Sequence, residues 1–250
     1  MDGPKGGDTY FSHSMTLLHY SAEQGKLEIF KSVSATLANI QLKTSGEAKG
    51  ATPLHWAGTE GRMNIVRYIT NCLTNINPAD DDGLTVMHYA ARRGQLEVIN
   101  FYIDRLNEKN PPQISNDEFN GRTPLHYAPQ WWELEVVRAI TAVISDKNTK
   151  DSHDVTPFHL AALQGHLHVI EYMCDNYVNN VDIKTDSFWN HRTPLHYACI
   201  GGHLDVIRYL IQKGADPKIR SSNGKTAYDL TIEENHTDVS FYWLLIGNNL

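Results

Sequence analysis

Cysteine is scarce in this chain of 250 residues: Cys72, Cys174 and Cys199 are odd in number and lack paired spacing. That excludes a disulfide framework and suits a reducing compartment. No apolar run approaches the roughly 20 residues needed to cross a bilayer. The longest is Phe241-Tyr242-Trp243-Leu244-Leu245-Ile246, and the first residues hold no apolar stretch resembling a signal peptide. Basic residues are outnumbered, 22 Lys and Arg against 29 Asp and Glu, for a net charge of −7. With no Lys/Arg cluster to offset this, no nucleic-acid partner is expected. A phosphate-binding glycine loop and a serine elbow are also missing. These absences predict a soluble cytoplasmic or nuclear protein without membrane insertion and without a cofactor.

Histidine, by contrast, is plentiful, and six of the 13 fall on one recurring tetrapeptide. Thr16-Leu17-Leu18-His19 is followed by Thr52-Pro53-Leu54-His55, Thr85-Val86-Met87-His88, Thr123-Pro124-Leu125-His126, Thr156-Pro157-Phe158-His159 and Thr193-Pro194-Leu195-His196. The intervals are 36, 33, 38, 33 and 37 residues, and a degenerate seventh copy, Thr226-Ala227-Tyr228-Asp229, comes 33 later. Self-similarity at this period means stacked supersecondary units. The Thr is a natural N-cap whose hydroxyl accepts from an N–H one turn into the helix, and Pro suits the first helical position. Gly25, Gly61, Gly94, Gly165 and Gly202, six residues after the repeat His, supply a left-handed helix end. A second helix follows, as in Leu204, Val206, Ile207, Leu210 and Ile211, with apolar residues at i+3 and i+4. Turn-forming stretches such as Asp80-Asp81-Asp82-Gly83 and Ser222-Asn223-Gly224 link the units.

The motifs resemble the ankyrin repeat. The copy through Arg192-Thr193-Pro194-Leu195-His196-Tyr197-Ala198, Gly202-His203, Val206-Ile207 and Gly214-Ala215-Asp216 carries nearly the whole family pattern. The resemblance covers residues 14–248 and implies an all-α solenoid of about seven helix-turn-helix units with β-hairpin fingers, starting near residues 14, 50, 83, 121, 154, 191 and 224. Residues 1–13 are read as a disordered stretch or an N-terminal cap extension, and 14–248 as a single repeat domain. His166 and His203 match the family's His after Gly. The repeat histidines His19, His55, His88, His126, His159 and His196 are then expected to bond loop groups and bridge neighbouring units. Zinc sites need clustered ligands, so no metal site is expected. Asp80-Asp81-Asp82-Gly83 lacks the spaced ligands and terminal Glu of a calcium loop and reads as a polar fingertip. Cys174 and Cys199 sit in predicted helices as packing residues. No residue is assigned a catalytic role, and the chain is not expected to be an enzyme.

Departures from the pattern carry the rest. Trp132 stands where five other units have Gly, and Pro129 falls inside the first helix of the fourth unit, so that helix should be kinked or shortened. The 38-residue interval inserts Asn107–Gln113, and the 37-residue interval inserts residues around Asn179–Asp182. The last helix, with Val239 and Phe241 to Ile246, is apolar nearly all round, which implies either that the chain is a piece of a longer protein or that another surface associates with this end. At the fingertips, Phe119 and Trp189 are aromatic where other units are polar. Together with Trp131, Arg92, Arg93, Arg122 and Arg192 they form the candidate partner-binding set, since aromatics and Arg most often anchor interfaces. The family resemblance implies a non-catalytic module binding a partner protein on its concave surface. The alternative is a targeting or regulatory segment of a larger enzyme or channel.

Overall fold

The structure is a computed structural model that describes residues 15–37, 39–45, 49–105, 121–128 and 134–246. Among them are fourteen helices in seven pairs and no regular strand; a lone antiparallel bridge joins Ala79 and Thr85. The chain divides into two compact units, residues 1–102 and 103–250. The first holds the pairs α1 (Leu17–Glu23) and α2 (Leu27–Ser34), α3 (Pro53–Thr59) and α4 (Met63–Cys72), and α5 (Val86–Arg92) and α6 (Leu96–Arg105), whose last turn crosses the boundary. The second holds α7 (Pro124–Tyr127) and α8 (Leu134–Thr141), α9 (Pro157–Gln164) and α10 (Leu167–Asn176), α11 (Pro194–Gly201) and α12 (Leu204–Gln212), and α13 (Ala227–Glu233) and α14 (Thr237–Ile246).

Within each unit the first helices form one row and the second helices another. In the first unit α1 packs on α3 and α3 on α5, with α2 on α4 behind them. In the second, α7, α9, α11 and α13 pack in succession, and so do α8, α10, α12 and α14. The cores lie between the rows: Leu54, Val66 and Ile69 in one unit and Phe158, Ile170, Val206 and Leu210 in the other are fully buried. The Gly expected to end each first helix does so at φ between 66° and 77°, and Asn235 takes the same role in the seventh pair at φ 59°. α7 has only four residues, against seven or eight in the other first helices, the shortening expected beside Pro129. Pro129, Gln130, Trp131 and Trp132 themselves lie outside the described residues, as do residues 1–13 and the Asn107–Gln113 insertion.

Three fingers are five-residue turns closed between their ends: Asp80 to Leu84, Asp151 to Val155 and Ser221 to Lys225, each through an N–H donated by the first residue to the carbonyl of the last at 2.8–2.9 Å. Two are eight residues long, Thr44 to Ala51 and Thr185 to Arg192, closed the same way at 3.0 Å. The extra length therefore sits mostly in the finger. For the 37-residue interval this corrects the placement near Asn179–Asp182, because three of its four extra residues lie between Thr185 and Arg192.

Among the described residues the fingers before the second and sixth pairs are long and those before the third, fifth and seventh short, and the intervals between capping threonines alternate in the same order. A second alternation follows on the outer helices. Arg67 lies over the Phe101 ring at 5.3 Å, Arg138 over Tyr172 at 4.5 Å and Arg208 over Tyr242 at 5.2 Å. Each pairs a long-finger unit, or the fourth unit after its 38-residue interval, with the short-finger unit that follows. Cation–π contacts of this kind contribute about 0.5–1 kcal/mol each at exposed positions.

Candidate functional site

The histidines are the richest source of potential chemistry, and the structure engages those of the repeat motif in bonds to the backbone. In each of the six full motifs the Thr backbone N–H donates to the His Nδ1 at 3.0–3.3 Å, and the Thr Oγ1 lies 2.8–3.0 Å from the same nitrogen. The hydroxyl's short partner is thus the imidazole, while the N–H one turn into the helix faces the same oxygen in a capping box, as expected of an N-cap Thr. At Thr226 that bond, from the Asp229 N–H, measures 3.2 Å.

With Nδ1 accepting, Nε2 carries the proton and donates it to a carbonyl at the end of the finger that follows or two residues before that finger begins. His19 reaches the Leu42 carbonyl at 2.9 Å, His55 that of Leu84 at 3.1 Å, His126 that of Val155 at 3.1 Å, His159 that of Ile183 at 3.1 Å and His196 that of Lys225 at 3.3 Å. Burial disfavours the imidazolium and lowers the pKa of His55, His159 and His196 to about 4 and of His126 to about 3, against the backbone carbonyls that pull the other way. A second set works backwards: His203 Nε2 donates to Leu163 O at 2.9 Å and His236 to Ile200 O at 2.8 Å. Here glycine matters twice over, since a Cβ at Gly165 or Gly202 would fall within 2.5 Å of the His203 or His236 ring. Burial also raises the Cys174 thiol to about 11 and Cys199 to about 12, which keeps both protonated and unreactive. Among the described residues no three His, Cys, Asp or Glu side chains gather as a metal site, and no helix is long and apolar enough to cross a membrane.

What remains for binding is the finger surface. In the first unit Arg92 and Arg93 close α5 side by side and both are exposed. In the second unit, Arg122 is already engaged: its Nε lies 3.2 Å from Oδ2 of the fully buried Asp151, whose Oδ1 accepts the N–H groups of His153 and Val155. Asp80 does the same work in the first unit, accepting from Asp82 and Leu84 N–H and from the Tyr89 hydroxyl at 2.7 Å. Phe119 and Trp131 lie outside the described residues.

The finger of residues 185–192 departs most from expectation. Trp189 does not face solvent: it is half-buried, with its indole Nε1 enclosed and unpartnered, and Arg192 Nε is enclosed likewise. The exposed tip is Phe188, 66% accessible. The reason is local. Asp186 Oδ1 accepts the N–H groups of Phe188 and Trp189, and Asn190 and His191 both adopt positive φ (63° and 49°), which turns the chain back over itself. Phe188 is then held from one side by the His153 ring, stacked at 4.4 Å and 17°, while His153 Nδ1 donates to Asp186 Oδ2 at 2.9 Å. Desolvation works against the Asp186 carboxylate, but His153 and the Trp189 and Phe188 N–H groups together hold its pKa below the ordinary value. His191 bonds to Ser222, and the Ser222 N–H donates to Asn190 O at 2.8 Å, so three consecutive fingers are tied together. A tip placed at a fixed distance before the capping Thr points to Trp189 and passes over Phe188 and His153. The 37-residue interval held the signal, since a longer finger moves the tip.

Comparison with known proteins agrees with this architecture. No curated protein matches the chain. Among solved structures, the ankyrin repeat domain of human ASB11 superposes with a TM-score of 0.70 at 23% identity, covering 86% of this chain and 91% of that one. A family model of ankyrin repeats in three copies matches residues 69–151, 103–184, 133–221 and 158–248, and the single-repeat model matches 49–81. Together these span residues 49–248, with the capping threonines, the bridging histidines and the paired helices all in register, and the chain belongs to the ankyrin repeat family.

Proposed function

We propose that this protein is a non-catalytic interaction module that holds a partner protein on its fingers and first helices, the concave surface of such repeats. Ankyrin repeats are general protein–protein interaction modules, and its cytoplasmic or nuclear placement belongs to the same proposal. The observation that carries the reading is Phe188: a large aromatic, 66% exposed, presented rigidly by the His153 stack and the Asp186 hydrogen bonds. A preorganised exposed aromatic is the side chain that most often anchors an interface. Trp189 supports it from beneath, Arg92 and Arg93 offer charged donors to a partner's carboxylates, and Phe119 and Trp131 remain proposed contacts with Arg122 and Arg192 at the finger bases. The alternative, a targeting segment of a larger enzyme or channel, would use the same surface.

The test is affinity capture followed by titration of the main captured partner against the wild type and Phe188→Ala. The variant is expected to fold normally and to bind about 30-fold more weakly, or about 2 kcal/mol. Undiminished affinity in a folded variant would move the binding surface elsewhere.

A further inference from the structure

The seventh helix pair differs from the others at the positions where one unit meets the next. The sixth residue after the capping Thr is Ala22, Gly58, Ala91, Ala162 or Cys199 in five other units, and all are buried. The space is tight: a Cβ on Gly58 would come within 2.4 Å of Val86 Cγ1 on the next first helix. The seventh unit has Ile232 there, 48% exposed. The repeat His is replaced too. Asp229 takes over its capping bonds, accepting from the Thr226 N–H and hydroxyl at 2.8 Å, but a carboxylate has no proton to donate to a following finger. Ile232 and Asp229 therefore lack the two features, a small residue and an imidazole donor, through which the other units join the next.

The outer helix of this pair changes in the same sense. Fifteen residues after the Thr the other six units are polar, with Arg67, Arg138 and Arg208 in three of them; the seventh has Phe241, 63% exposed. Leu244 and Leu245, 63% and 57% exposed, complete a stripe at i, i+3 and i+4 along α14, while Val239 and Trp243 on the same helix are buried. The carboxylates of Glu234 and Asp238, just before and at the start of α14, are exposed and form no ion pair among the described residues.

We infer that this stripe is a docking site for an amphipathic helix of a partner protein, apolar on one face and flanked by Lys or Arg. Together with Ile232 on α13, the three side chains of the stripe present on the order of 400 Å². That is about half of the ~800 Å² per partner that a stable interface between whole domains buries, so it suits a single helix better than a second copy of the chain. A ridge at helical spacing is the surface against which an amphipathic helix lays its apolar face, and the unpaired carboxylates select basic flanks.

The probe is a labelled amphipathic helical peptide with a leucine face and lysine flanks, measured by fluorescence anisotropy against the full chain. Peptides with the same leucine face and glutamate flanks, and with scrambled order, are the controls. The chain is expected to bind the lysine-flanked peptide at least about tenfold more tightly than either control. The substitutions Phe241→Arg, Leu244→Thr and Leu245→Gln, each a residue found at that position in another unit, should abolish the binding and leave the melting temperature unchanged; Phe241→Arg alone should weaken it. Equal binding of all three peptides, or binding that survives the substitutions, overturns the site. So does a wild type that sediments as a dimer and becomes monomeric with the substitutions, since a second copy would then be the occupant. Either outcome leaves the Phe188 surface to be judged by its own titration.

Discussion

The sixth and seventh helix pairs share a register of 33 residues and lie in one compact unit, yet they answer to different neighbours. The sixth has His196, with its Nδ1 bound to its own cap and its Nε2 proton given to the Lys225 carbonyl, and the small Cys199 beneath α13. The seventh keeps the cap but substitutes Asp229 and Ile232, and turns Phe241 outward where the sixth has Arg208. The cap closes a helix; the imidazole and the small residue join one unit to the next. An ankyrin unit is thus two separable devices, and the seventh pair keeps only the first.

The largest consequence concerns pH. His55, His126, His159 and His196 have folded pKa values below 6.5, so the unfolded chain takes up protons first as the pH falls. Stability should be complete above about pH 6.5 and decline towards pH 4, by up to about 1.4 kcal/mol per pH unit for each histidine. Asp229 acts in the same direction but at lower pH: the Thr226 bonds lower its pKa, so its contribution is lost only below the ordinary carboxylate range. Denaturant melts at pH 7.5, 6 and 5 should show a total loss of several kcal/mol; constant stability over this window would mean that the histidines are not held neutral.

Overpacking comes next. Ala162→Ile should cost about 3 kcal/mol, because the next first helix covers this position, whereas Ile232→Ala should change stability by less than about 0.5 kcal/mol. Equal effects in chemical denaturation would erase the distinction between interior and terminal units. Smaller again, His159→Ala should cost about 1–3 kcal/mol through the unpaired Ile183 carbonyl and Thr156 N–H, without altering metal content. Asp229→Ala, which loses only a cap, should cost about 1 kcal/mol. Stoichiometric zinc that is lost on His159→Ala would revive a metal-binding role.

Much of this architecture is written in residue types that do one thing. A Thr-Pro-Leu-His tetrapeptide fixes a helix start, and a Gly nine residues after the Thr can only end that helix left-handed, so pairs and boundaries follow from sequence. The second partner of the Thr hydroxyl does not, because its lone pairs can face the helix N–H while its proton goes to the neighbouring imidazole, and only the ring's placement reveals the latter. The candidate surface was legible in part. Exposed arginines at the end of α5 follow from helix register, but the orientation of Trp189 depends on two positive-φ residues and an Asp-bound turn within a finger three residues longer than the short ones. Phe188 and Trp189 are adjacent and chemically alike, and only that turn determines which of them meets solvent.

The account rests on the histidines being fasteners between units, which leaves function to the exposed surfaces. Nitrogen-15 NMR of the imidazoles across a pH titration tests this most directly. The predicted result is the Nε2–H tautomer at His55, His126, His159 and His196, with no protonation down to about pH 5. Titration of these rings near pH 6.5, or an Nδ1–H tautomer, would contradict it.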